Sequence, residues 1–246
     1  ILELYHRGVR NFVVTEVPAN YASDYPQANF LKVVDSLESL QRLAERHRDE
    51  FNIPIVGITG SNGKTMVKEW LNQLLSDDLF VTRSPRSYNS QVGVPLSVWL
   101  LNEHSQVGVF EAGISQPGEM LALRDIIQPT IAVLTNLGDA HQENFVSREA
   151  KCKEKLVLFH DAKIVVYNGD DSLISDCVNA LEDFRGERLY WSCSDHNAPF
   201  FVKSIEKKAT ATTITYIYKG IESWYSLPFI DDASITNSFA CAAVAL

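Results

Sequence analysis

The chain has 246 residues, 46% of them apolar and 22% charged, which argues against both a disordered chain and a membrane-spanning one. Lys plus Arg number 22 against 31 Asp plus Glu, a formal charge of −9 with no basic block, so neither nucleic acid nor a membrane surface is an expected partner. Four widely spaced cysteines with no C-x-x-C pair argue against a disulfide scaffold and predict a reducing, cytoplasmic setting.

The chain opens in an amphipathic stretch at Ile1. Phe12–Val14 reads as a short strand, and Ser36–Arg48 as a helix with Leu37, Leu40, Leu43 and Ala44 at helical spacing. A domain boundary is expected near residue 50. That boundary divides the chain into residues 1–50 and 51–246. A buried strand follows over Ile53–Ile58, then a helix from Thr65 to Leu75 with Met66, Val67, Trp70, Leu71 and Leu74 on one stripe. Further strands are predicted at Leu79–Thr82, Val107–Glu111, Ile131–Thr135, Lys163–Tyr167 and Leu189–Trp191. Helices are predicted at Pro95–Leu101, Gly118–Ile127, Ser147–Phe159 and Ser172–Leu181. Strands alternating with helices imply an α/β fold with a mostly parallel, doubly wound sheet. Phe200–Ile205, Thr212–Tyr218 and Ser223–Pro228 read instead as a small antiparallel section. A last helix reaches Leu246 without a C-cap, and a longer protein is expected around this stretch.

The strongest chemical signal is Gly57-Ile-Thr-Gly-Ser-Asn-Gly-Lys-Thr65, between a strand and a helix. Small residues there let backbone N–H groups turn inward toward a phosphate, and the helix N-terminus adds partial positive charge. Thr59, Gly60, Ser61, Asn62 and Gly63 would form the cradle. Lys64 would reach the β- and γ-phosphates and Thr65 would sit on Mg²⁺. The strict phosphate-loop pattern wants Gly at the position of Ile58. Glu111 ends an apolar strand, where a carboxylate suits a divalent ion. His141 follows the strand Ile131–Thr135 and is a second candidate ligand. It lacks the partner His of a zinc-protease motif, so zinc is not expected.

Thr59-Gly-x-Asn-Gly-Lys-Thr65 resembles the loop of the Mur ligases, ATP-dependent amide ligases of peptidoglycan precursor synthesis. Asn89-Ser-Gln-Val-Gly-Val-Pro-Leu96 resembles the N-N-x-x-G-x-P-L segment of the branch that adds D-alanyl-D-alanine. Glu111-Ala-Gly113 with Gly118-Glu119, then Thr135-Asn-Leu-Gly-Asp-Ala-His141, continue the likeness in order. Asn168-Gly-Asp-Asp171 and Asn237 match later positions on the nucleotide side. The likeness covers roughly residues 50–246. Ser90, Ala112 and Ala233-Ser234 depart from the pattern, and the drift is similar to the branch fused to an alanine racemase.

The resemblance implies a central ATPase domain, preceded by the tail of a domain that holds a UDP-sugar. It implies that ATP phosphorylates a carboxylate of a UDP-N-acetylmuramoyl-tripeptide, and that D-alanyl-D-alanine then attacks the acyl phosphate. Two Mg²⁺ ions are implied, with Thr65, Glu111, His141 and Lys155 as ligands. Asn89 would orient ATP or the acyl phosphate, and Asn136, Asn168 and Asn237 would serve the nucleotide. Lys64, Lys155, His141 and Asn89 are the implied catalytic set. Lys155, fourteen residues after His141 and four before Phe159, matches a lysine that the family converts to a carbamate. From the spacing alone the favoured reading is an exposed lysine in the Lys-rich helix Lys151-Cys-Lys-Glu-Lys155. A lysine attacks CO₂ only as the neutral amine, and Lys151 one turn away disfavours double protonation. Alternatives are another ligase of the superfamily (one adding a single amino acid or folate glutamates), a small-molecule kinase, or a nucleotide-binding module without turnover. This stretch alone, without the family's closing C-terminal domain, is expected to turn over little.

Overall fold

The computed structural model describes residues 1–246. In chain order the elements are α1 (Leu2–His6), β1 (Asn11–Val14), α2 (Tyr21–Asp24), β2 (Asn29–Lys32), α3 (Ser36–Arg48), β3 (Ile55–Thr59), α4 (Lys64–Leu75) and β4 (Val81–Arg83). Then come α5 (Gly93–Val98), β5 (Val107–Glu111), α6 (Glu119–Ile127), β6 (Ile131–Leu134), α7 (Arg148–Leu156), β7 (Ile164–Asn168), α8 (Ser172–Asn179) and β8 (Glu187–Ser192). The chain closes with β9 (Phe200–Lys207), β10 (Thr212–Tyr218), β11 (Ile221–Leu227) and α9 (Asp232–Ala245).

Nine strands form one sheet in the order β11-β10-β9-β8-β7-β6-β3-β5-β4. The run from β4 to β9 is parallel, and β9, β10 and β11 pair antiparallel. The expected antiparallel section is therefore a continuation of the main sheet, because β9 pairs with β8 through Trp191 and Ser192. Alternate residues serve opposite faces, as strand geometry requires. Ile55, Ala132, Leu134 and Val165 pack under α5, α6, α7 and α8. Val56, Ile58, Val133 and Val166 pack against α4 and α9. Both faces are covered, which explains the unbroken apolar runs of β3 and β5. Each fully buried Val or Ile there contributes about 1.5–3 kcal/mol.

β3 lies between β5 and β6: the chain leaves it for β4 and β5 on one side, and after β5 crosses to β6 on the other. That is the switch point where open α/β sheets leave a crevice at the strands' carboxyl ends. The phosphate-loop sequence occupies it.

The N-terminal stretch holds its own two-stranded parallel sheet, β1 with β2, with Phe12 stacked on Phe30 at 5.3 Å. The boundary expected near residue 50 falls beyond α3, and α3 packs on the main body. Ala44 is fully buried in the core, and Arg48 donates to the carbonyls of Ile127 (3.0 Å) and Gln128 (3.2 Å). Val34, between β2 and α3, is exposed. The helix expected over Ser147–Phe159 is α7 followed by a 3₁₀ turn at Val157–Phe159. Ser147 caps it, accepting from the Ala150 amide at 3.0 Å.

Candidate active site

The turn from β3 into α4 is built on two glycines with left-handed φ, Gly60 at 141° and Gly63 at 83°. A Cβ at Gly60 would overlap Thr135 Oγ1, and one at Gly63 would overlap the Asn237 side chain. The loop is thus seated between the end of β6 and α9. Asn136 braces its crest. The Asn62 amide donates to Asn136 Oδ1 at 3.0 Å, and Asn136 Nδ2 donates to the Asn62 carbonyl at 3.2 Å. Thr135 Oγ1 donates to the same carbonyl at 2.6 Å. Asn136 and Asn237, matched to the nucleotide side by sequence, lie against the loop backbone itself.

The amides of Gly63, Lys64 and Thr65 donate to no protein group. Three free N–H groups at a helix start, over a loop that tolerates no Cβ, fit a bound phosphate. Lys64 Nζ folds back onto the loop and donates to the Gly60 carbonyl at 2.7 Å. Burial pushes its pKa down, and Glu111 opposes that.

A cleft of about 320 Å³ opens beside the loop. Gly60, Ser61, Lys64, Asn89, His141 and Lys155 are among its walls. The structure therefore brings all four predicted catalytic residues to one cavity. A second, open groove runs along Ser61–Met66 past Ser87 and Asn89.

Lys155 is only 3% exposed. Its Nζ points at the Gly60 carbonyl at 3.4 Å, so the reading as a solvent-facing lysine fails. Burial, then the charges of Lys64 and Lys151, lower its pKa from 10.5 to about 7. Lys151 is buried too, and anchors the loop that carries His141. It donates to the Gly138 carbonyl at 2.5 Å, and Ser61 Oγ donates to the same carbonyl at 3.1 Å. Arg148 holds the preceding Leu137 carbonyl at 2.9 Å. His141 itself is exposed, with φ of 59°.

Glu111 is fully buried at the end of β5. Its Oε2 accepts from Thr65 Oγ1 at 3.0 Å and from Asn89 Nδ2 at 3.4 Å. Its Oε1 lies 3.0 Å from Lys68 Nζ yet accepts no aligned hydrogen bond. A buried carboxylate with spare acceptor capacity, touching a hydroxyl at the phosphate loop, suits a hard divalent ion such as Mg²⁺. No group of three His, Cys, Asp or Glu side chains gathers to hold a metal, so Glu111 and His141 alone do not make a site. A ligand supplied by Lys155 would have to come from a modified side chain.

Asn168 stands apart. Its Oδ1 accepts from the Asp170 amide at 3.0 Å at the end of β7, and it lines neither cavity. Asp170 in turn accepts from Ser194 Oγ at 2.6 Å and the Cys193 amide at 2.7 Å. Thr59 Oγ1 is buried without a partner beneath the loop. Lys68 was missed by sequence reasoning. It is fully buried between Glu111 and Glu69, and its only sequence signal is its place one turn beyond Lys64 on α4.

Comparison with known proteins agrees with this geometry. The Mur ligase middle domain family matches residues 58–245. A UDP-N-acetylmuramoyl-tripeptide–D-alanyl-D-alanine ligase from Bacillus subtilis is 28% identical over 214 residues, covering 86% of this chain and 45% of the relative. The same-named ligase of Treponema pallidum is 38% identical over 130 residues, 52% of this chain and 28% of that one. The chain thus spans about half or less of the length of the curated relatives it matches. Among solved structures, a MurF ligase from Thermotoga maritima in complex with ADP superposes with a TM-score of 0.84 at 26% identity, covering 98% of this chain and 55% of that one. A MurF from Acinetobacter baumannii gives 0.88 at 22% identity, covering 99% of this chain and 52% of that one, which shows the fold. With a family match across more than three quarters of its length and the phosphate loop at its switch point, the chain belongs to the Mur ligase middle-domain family.

Proposed function

We propose that the protein containing this chain is an ATP-dependent amide ligase that joins D-alanyl-D-alanine to a UDP-N-acetylmuramoyl-tripeptide. The observation that carries the reading is one cleft holding both Lys64 and Lys155 at the Gly60 carbonyl, beside a phosphate loop with three free amides. The named relatives support the choice of substrates.

Phosphoryl transfer to a carboxylate brings two anions together, and catalysis is mostly positioning and charge. The free amides of Gly63 to Thr65 would bind the phosphates. Lys64 would exchange the Gly60 carbonyl for phosphate oxygens. Asn89, at the cleft wall, would orient the γ-phosphate or the acyl phosphate. The tripeptide carboxylate would take the γ-phosphoryl group as ADP leaves. The neutral dipeptide amine would then attack the acyl carbon, breaking its C–O bond to phosphate and forming the amide, with inorganic phosphate and one proton released to solvent. Mg²⁺, two ions in this reading, supplies charge neutralisation when bound. Thr65 and Glu111 would hold one, and Glu111, His141 and Lys155 the other.

Lys155 carries the ion only as a carbamate. Its pKa of about 7 keeps a large neutral fraction near neutrality, and the neutral amine adds to CO₂ with loss of one proton. Asn136 and Asn237 act on the nucleotide by holding the loop, and Asn168 would serve its far side. We assign the β1–β2 stretch within residues 1–50 to the end of a UDP-substrate domain, and residues 51–246 to the ATP domain. No helix is long and apolar enough to cross a membrane. A cytoplasmic location belongs to this reading of the substrates. A racemase fusion belongs to the same reading and is tested by sequencing the whole reading frame.

The test is ADP release with ATP, Mg²⁺ and the UDP-tripeptide, with and without D-alanyl-D-alanine. Release only with both acceptors supports the ligase. A stable phosphorylated product formed without any amine would replace it with a kinase.

A further inference from the structure

Lys68 is a fully buried lysine and Glu111 a fully buried carboxylate. Taking two such charges out of water is costly, so the pair is weak evidence for stability by itself. What the pair does geometrically is specific. Thr65 and Lys68 are three residues apart on α4 and therefore share a face. Thr65 Oγ1 takes Oε2 of Glu111 at 3.0 Å, and Lys68 Nζ sits 3.0 Å from Oε1. One helix thus grips both oxygens of one carboxylate from the neighbouring strand end.

The ammonium's other contacts fix it in turn. It pairs with Glu69 Oε1 at 3.1 Å, and Glu69 is held by Arg83 at 3.0 Å. It also donates to the carbonyl of Arg86, a residue with φ of 47°. The next residue, Ser87, meets Thr65 Oγ1 at 3.2 Å and lines the groove beside the loop. Its three oxygen neighbours are Glu111 Oε1, Glu69 Oε1 and the Arg86 carbonyl, and of these only the carbonyl accepts an aligned hydrogen bond. Lys68 lines neither cavity, so it acts on ligand only through Glu111 and the Arg86–Ser87 turn.

We infer that Lys68 is a positioning residue that fixes the Glu111 carboxylate toward Thr65 and Asn89, so that a divalent ion meets a preset oxygen pair. The inference rests on the reading of Glu111 as an ion ligand. Groups that orient ligands typically change metal affinity about 10- to 100-fold when removed.

The experiment measures ADP affinity by calorimetry with and without Mn²⁺, for wild type, Lys68→Met, Glu111→Gln and the double variant. The readout is the gain in ADP affinity that Mn²⁺ provides, which a general loss of structure would not selectively remove. Lys68→Met is expected to cut that gain about tenfold, and any change in metal-free ADP affinity through the Arg86–Ser87 turn divides out of it. In the Glu111→Gln background the second substitution is expected to change it less than about twofold, because the carboxylate it positions is already gone. The double variant leaves no unpaired buried ion. If Lys68→Met alone does not fold, the double variant against Glu111→Gln carries the comparison, and a further loss there overturns the inference. An unchanged Mn²⁺ gain in folded Lys68→Met overturns it too, while Glu111→Gln still loses the gain. An unchanged gain in Glu111→Gln removes the ion-ligand reading itself, and this inference with it.

Discussion

Replacing Lys155 with Met should make the apo protein more stable below neutral pH while abolishing turnover. The side chain is 3% exposed and its pKa lies at about 7 in the fold, against an ordinary 10.5, with burial the largest cause. Between those two values the unfolded chain binds more protons than the native one, so stability rises with pH across the window. Below about pH 7 both states are protonated and the full cost of a buried ammonium applies. Above about 10.5 both are neutral and the cost vanishes. The gap corresponds to about 5 kcal/mol at 1.36 kcal/mol per tenfold change in proton affinity. The only hydrogen bond lost, to the Gly60 carbonyl, is a long one at 3.4 Å. Methionine keeps most of the packing volume. Urea unfolding from pH 6 to 9.5, in CO₂-free buffer without nucleotide, should show wild type gaining up to about 1.4 kcal/mol per pH unit above pH 7. Lys155→Met should lack that slope and exceed wild type by several kcal/mol at pH 6. Parallel stability curves for the two proteins would refute the reasoning.

Lys64→Ala should abolish ADP formation while leaving the fold intact, since the change removes a charge beside the phosphate loop and little packing; circular dichroism and a coupled assay decide it. Gly60→Ala places a Cβ against Thr135 Oγ1 at a φ of 141°, so it should cost about 1–3 kcal/mol and weaken ADP binding at least about tenfold by calorimetry. Lys155→Ala should lose activity in a way that short-chain carboxylates partly restore, by filling the ligand position a carbamate would occupy, and a fully active variant would rule that role out.

The fold was legible where local chemistry and tertiary packing agree. β3 and β5 are apolar runs because both their faces are covered, and Ser36–Arg48 shows its amphipathic stripe in plain sequence. The phosphate loop was legible because Gly60 and Gly63 sit where only glycine fits. Placement of β9 was not, since pairing with β8 depends on contacts between distant residues rather than on the pattern within either strand. The same limit hid Lys68. In Val67-Lys68-Glu69 it reads as a solvated helix lysine, and only the approach of β5 and the Arg86 turn buries it. Asn136 was matched by sequence to the nucleotide side, while its bonds to Asn62 come from the closeness of β3 and β6. Lys155 was ambiguous for a related reason. Helical spacing gives its face, and the fold alone shows that the face is buried.

The most direct test of the ligase assignment is amine-dependent ADP release by the full-length protein, followed with ATP, Mg²⁺ and UDP-N-acetylmuramoyl-tripeptide while D-alanyl-D-alanine is titrated. The account predicts no sustained release without the dipeptide, and one amide product for each ADP once it is present. Sustained ADP release with a stable phosphorylated product and no amine, or no release with both substrates at saturating concentration, would contradict it.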